Sequence, residues 1–184
     1  ASDAEEMESK FRAVFKELSD ETIAWSKSHA KTVNRSRFDL MDYASTLQDT
    51  FVPLGFARKE AAKLSKQMVA LGLDLASFNN ESEPETIARL QSAIIGNTET
   101  VRRYGIIITQ ATLNQELLNM GVAKGVKGAS EAQKAIARLN IIMRSSGDAQ
   151  GDAARTAESF ANRLRGMQAQ IKESSIVIGN VLMP

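Results

Sequence analysis

The chain has 184 residues, with 23 Lys and Arg against 22 Asp and Glu, and this near balance argues against a dedicated nucleic-acid binder, which carries a basic excess on one face. Hydrophobic residues at 43% suffice for a core and exclude wholesale disorder, while aromatics at only 5% favour helix-on-helix packing through Ala, Leu, Ile and Met. The absence of cysteine excludes disulfides and thiolate metal sites. Residues 1–10 are acidic and polar, unlike a secretory leader. No apolar run approaches the roughly 18–20 residues that span a bilayer. The chain opens without methionine and ends on a helical pattern, so it reads as a fragment of something longer.

Residues 3–32 contain no Gly and no Pro. Met7, Phe11, Val14, Leu18 and Trp25 form a heptad-like stripe with one miss at Glu21, which predicts a long helix dividing at Ser19-Asp20, with Asp20 as a cap. Trp25 reads as a packing residue, with a role as partner anchor as the alternative. His29 lies in the polar stretch SKSHAKT and has no second histidine to share a zinc ion, so it reads as a solvated histidine near a helix end. Asn34 and Ser36 mark a break. A helix from Arg37 to about Val52 follows, carrying Leu40, Tyr43, Ala44 and Leu47, and Pro53 and Gly55 end it. Phe51, Leu54 and Phe56 flank that turn and should pack on both neighbouring helices.

Residues 57–78 form the next helix, with Leu64, Met68, Leu71, Leu75 and Phe78 on one stripe. Asn79 and Asn80 tolerate the left-handed conformation that ends a helix. Ser82 or Glu83 caps the following one, and Pro84 sits in its first turn, where a missing N–H costs nothing. Ile87, Leu90 and Ile94 make one face and Gly96 stops the helix. Asn97 or Thr98 caps a short third helix through Val101 and Tyr104, stopped by Gly105. The three helices should form a tight corner.

The run Ile106-Ile107-Ile108 reads as an extended connector buried against helices rather than a strand, since no hairpin partner accompanies it. Thr109 caps a helix bearing Leu113, Leu117 and Met120, which Gly121 ends. The stretch GVAKGVKGA at 121–129 lacks the spacing and the Gly-Lys-Ser/Thr of a phosphate loop and reads as a flexible basic loop. Residues 130–143 return to helix with Ile136, Leu139 and Met143 inward, before a polar turn at 145–151. From Asp152, the positions Ala157, Phe160, Leu164, Met167, Ile171, Ser174, Ile178 and Val181 alternate by four and three, a heptad seam with one polar miss at Ser174. The seam is either one amphipathic helix docked on its own domain or a coiled coil between copies. Gly166 and Gly179 each cost roughly 1 kcal/mol of helix propensity within it.

No constellation for catalysis is visible. No serine has a plausible triad, and the acidic pairs Glu5-Glu6 and Glu83/Glu85 read as solvated surface without the burial that shifts a pKa. Arg102-Arg103 and Lys124/Lys127 are too scattered for a DNA groove and allow at most a transient phosphate contact. The residues therefore point to a non-enzymatic chain with no cofactor and no metal.

Residues 74–104, DLASFNNESEPETIARLQSAIIGNTETVRRY, carry most of the local structural instructions and also a resemblance. DLASFNN followed by QSAIIGNTETVRRYGIIIT resembles the shared central region of tail tape measure proteins of long-tailed bacteriophages and prophages. The resemblance continues through GDAARTAESFANRLRGMQAQIKE at 151–173, and back through LQDTFVPLGFARKEAAKLS at 47–65 to DAEEMESKF at 3–11, so that it covers nearly the whole chain. It implies a long helical protein inside the tail tube, which templates tube polymerisation, sets tail length and leaves ahead of the DNA. It also implies a location in the virion tail lumen, and in the host cytoplasm during assembly. The partners implied are the tail tube protein, tail tip or baseplate proteins and tail assembly chaperones, together with homo-oligomerisation. The expected fold is all-α: an extended array of about seven to nine helices, with long amphipathic N- and C-terminal helices and coiled-coil self-association as an option. It divides into an N-terminal helical segment (1–33), a central multi-helix module (34–151) and the C-terminal heptad-patterned helix (152–184). The many Gly and Pro breaks favour a folded module over one continuous rod. The alternative is a helical coiled-coil scaffold or adaptor with no phage role.

Overall fold

A computed structural model describes residues 3–157 and 168–169. Among these residues the chain is all-helical, with eight α-helices and no strand. They are α1 (Asp3–Phe15), α2 (Ser19–Val33), α3 (Arg37–Phe51), α4 (Arg58–Phe78), α5 (Glu83–Ile94), α6 (Gln110–Asn119), α7 (Glu131–Ser145) and α8 (Asp152–Arg155). Short 3-10 turns intervene at Lys16–Leu18, Thr98–Tyr104 and Gly125–Gly128.

Helices α3, α5, α6 and α7 each begin on a side-chain cap. Ser36 accepts from Phe38 N and Ser82 from Glu85 N, and Pro84 occupies the first turn of α5. Thr109 with Thr112, and Ser130 with Gln133, form reciprocal capping boxes that satisfy otherwise orphaned donors. Asn34 and Asn80 take left-handed φ values of 56° and 52° at helix ends. The division between α1 and α2 differs from the expectation at Ser19-Asp20. It falls at Lys16–Leu18, and Leu18 at the N-cap of α2 makes no side-chain cap bond, so Asp20 lies in the first turn rather than at the cap.

The helices do not run as an extended array over the described residues. α1 packs on α3, α3 on α4, α4 on α5 and α8, and α5 on α7. One cluster joins Phe11 and Phe15, through Leu40, Leu47, Met68 and Leu90, to Ile142 and Ala153. The reason lies in α4. Besides the expected Leu64, Met68, Leu71 and Leu75, it buries Ala61, Ala62, Ser65, Val69, Gly72, Leu73 and Ala76, so that its second half, from Met68 to Ala76, has no exposed residue, while Lys59, Glu60, Lys63 and Gln67 face outward in the first. Small residues on these faces let neighbours approach. A Cβ added at Gly72 would lie 2.3 Å from Ile87 Cδ1, so a larger residue there would force the Ile87 side chain on α5 to shift. A satellite cluster of Leu113, Leu117 and Ala137 joins α6 to α7.

Several side chains point elsewhere than their spacing suggests. Phe78 and Met143, expected inward, are exposed; on α7 the buried positions are Ala135, Ala137, Arg138, Leu139, Ile141 and Ile142. In the triple-isoleucine connector Ile106 is buried and Ile107 exposed, the alternation of extended backbone. The 121–129 loop is pinned to α6: Asn114 Oδ1 accepts from Val126 N at 3.0 Å, in space that a Cβ on Gly125 would fill.

Candidate functional site

The expected anchor Trp25 lies on α2, and the first seam residue, Ala157, follows α8, which packs against both α4 and α2. Trp25 is half-buried, packs on the core and stacks on His29 one helical turn later, with ring centroids 5.5 Å apart. His29 is therefore not a solvated histidine: it is half-buried and its Nε2 has no hydrogen-bond partner. Burial pushes its pKa below the ordinary histidine range, partly offset by the negative charge of Asp74 on α4.

Asp74 holds the docked C-terminal segment. Its Oδ2 accepts from Gly151 N at 2.8 Å and its Oδ1 from Ala153 N at 3.1 Å. One carboxylate thus satisfies two donors at the start of α8, where an ionised acceptor is favoured. Burial raises the Asp74 pKa, and the two N–H donors and His29 pull against that rise. A hydroxyl pair, Ser77 Oγ and Thr156 Oγ1 at 2.9 Å, continues the contact one turn further along α4. Ala149, Ala153 and Ala157 are buried in it. The helix expected to run unbroken from Asp152 ends at Arg155. Thr156 closes it with a non-helical backbone while its hydroxyl donates to the Asp152 carbonyl at 2.7 Å. Of the seam, Ala157 is described; Phe160, Leu164, Met167, Ile171, Ser174, Ile178 and Val181, like Gly166 and Gly179, lie outside the described residues.

A second polar concentration occupies the α4–α5 corner. Arg35 pairs with Glu83, and the two side chains are only 4% and 13% exposed, so Glu83 is not the solvated surface carboxylate expected from its acidic neighbours. Arg35 also donates to the carbonyls of Val33 and Asn34 at 3.0 Å each, which fastens the α2–α3 turn to the start of α5. Removing one member of such a pair leaves a buried charge and costs about 3–5 kcal/mol. Glu81 accepts from Arg89 at 3.1 Å and from the Tyr104 hydroxyl at 3.0 Å, and pairs with Arg103. A cleft of about 500 Å³ opens here between Arg35, Asp39 and residues 80–84, with Gln168 and Ala169 on its wall.

These sites are built to hold helices together. Asp74, Arg35 and Glu81 escaped the reading of the sequence, and Glu83 was read as solvated. One signal pointed to Asp74: a carboxylate in the otherwise apolar LGLDLA run of a helix interior calls for a buried partner. Among the described residues, no group of three His, Cys, Asp or Glu could hold a metal ion, and no helix is long and apolar enough to cross a membrane. Comparison with protein-family models, with curated proteins and with solved structures returned no match.

Proposed function

We propose that the chain is a folded helical module of a tail tape measure protein of a long-tailed phage or prophage. The observation that carries the reading is the ordered series of resembling blocks, from DAEEMESKF at 3–11 to GDAARTAESFANRLRGMQAQIKE at 151–173. A non-enzymatic, self-associating chain in the tail lumen, assembled in the host cytoplasm with tube protein, tip or baseplate proteins and chaperones, fits these blocks. The main core that joins α1 to α5 with α7 and α8, with α6 attached through a satellite cluster, favours a role in initiation, tip attachment or ejection over service as a continuous ruler. The heptad positions from Ala157 to Val181 supply the self-association surface in this reading, and Trp25 a partner contact.

The test is an in-frame deletion of 157–184 in the full-length parent gene, with tails measured by electron microscopy. A helical ruler shortens by about 40 Å at 1.5 Å per residue. A folded module instead yields failed assembly, or tails of normal length that do not infect. Normal tails with normal infectivity overturn the assignment for this segment.

A further inference from the structure

The break between α1 and α2 occurs without a glycine or proline to stop the helix, and no side chain caps the start of α2. The residue that turns the chain is Lys16, held at φ 51°, a left-handed conformation that a side chain with a Cβ resists. What holds the turn comes largely from elsewhere in the fold. Arg58, at the start of α4, donates through Nη1 to the Val14 carbonyl at 2.8 Å, a group that a continuing helix would pair with the Leu18 N–H. Phe15 is fully buried beside Phe11, and Lys66 on α4 reaches Glu21 on α2 at 3.0 Å. Ser19 Oγ donates to the Lys16 carbonyl at 2.6 Å, and Arg12 bridges to Asp20 at 3.3 Å.

We propose that residues 3–33 are a two-state element: a bent helix pair clamped by the folded body, and one continuous helix when the clamp is released. The intrinsic preference of the segment is for the straight form, because it carries no helix-breaking residue and its apolar stripe continues across the break. In the bent form that stripe is divided: Phe11 is buried in the core, while Met7, Val14, Leu18 and Trp25 are only partly covered. Straightening relieves Lys16, restores the Val14 carbonyl to a helical partner and aligns the stripe along a rod of about 46 Å. The element rests on this geometry alone and does not depend on the tape measure reading.

The 184 residues contain no cysteine, so Glu8→Cys with Lys27→Cys places two nitroxide labels cleanly on this chain. Both side chains line one cleft between α1, α2 and α3 in the bent form. In a straight helix their backbones are separated by about 28 Å. Pulsed electron resonance on the parent should give one short distance. With Arg58→Ala and Lys16→Ala together, a second, narrow population near that longer separation should appear with no loss of helical circular dichroism, and Lys16→Gly should suppress it. Lys16→Ala alone, at an exposed position, keeps the test open if Arg58→Ala impairs folding. A short distance in every variant overturns the proposal. So does a broad long distance accompanied by loss of helix, or a long population that Lys16→Gly leaves unchanged.

Discussion

The chain turns sharply between α4 and α5 and again between α1 and α2, and the two turns are made by different physics. At the first, the residues that stop one helix and start the next lie within a few positions of each other, and the Arg35–Glu83 pair reinforces them from afar. Asn79 Nδ2 donates to the Leu75 carbonyl at 2.8 Å, and Asn80 adopts the left-handed region that asparagine tolerates. Ser82 then sits extended at the cap, and Pro84 follows in the first helical turn. At the second, no glycine or proline stops the helix, and a buried Phe15, an arginine from α4 and a left-handed lysine impose the bend three residues before the division expected at Ser19-Asp20. Where local and tertiary preferences agree, one conformation is favoured over its competitors; where they conflict, a second arrangement lies closer in energy.

The comparison can be broken most strongly at Phe15. Phe15→Ala removes a fully buried ring beside Phe11 and should cost about 3–5 kcal/mol in chemical denaturation. Because the imposed bend depends on that contact, the α1–α2 label distance should respond to this variant while α4–α5 amide protection holds in the molecules that remain folded. A loss well under this range would mean that Phe15 does not anchor the bend.

At the locally encoded turn a single change should matter less. Ser82→Ala removes one cap whose hydrogen bond is long, at 3.5 Å, and should cost about 0.5–1 kcal/mol by denaturant titration. Asn80 and Pro84 continue to specify the turn, so exchange protection in α5 should fray only over its first turn. Loss of protection along the whole of α5 would contradict the redundancy argued here.

The smallest expected effect is a pH dependence on α2. Burial lowers the His29 pKa, so the fold favours the neutral ring and the unfolded chain binds more protons. This contribution to stability is fully present above the ordinary histidine range and is lost as pH falls through about 6.5 toward the lowered folded value. Asp74, whose pKa is raised, acts in the opposite sense: acidification into its titration range favours the folded form. Denaturation midpoints should therefore fall modestly between neutral pH and the folded His29 value, and His29→Gln should flatten that slope. An unchanged slope in the variant would assign the effect to another group.

Much of the helical punctuation was legible because it depends on short-range hydrogen bonding. Ser36, Ser82 and Thr109 cap where their positions suggested, and Ile87, Leu90 and Ile94 form the buried face of α5. Reading inward faces from spacing failed at Phe78 and Met143, which lie near helix ends, where the neighbour that would cover them is set by packing rather than periodicity. His29 and Glu83 looked solvated because their sequence neighbours are polar; the groups that enclose or pair with them, Trp25 one turn away and Arg35 far along the chain, become partners only once the backbone folds.

The sequence by itself determined that this is a helical chain, where most helices begin and end, and which apolar stripes they carry, because caps, glycines and the helical period act within a few residues. Only the tertiary structure decided that the second half of α4 is enclosed, that Asp74 receives the start of α8, and that Lys16 turns a segment with no glycine or proline of its own. Those outcomes depend on contacts between residues distant in the chain, such as Arg58 with Val14 and Asp74 with Gly151, and on a gain in burial large enough to override local helix preference.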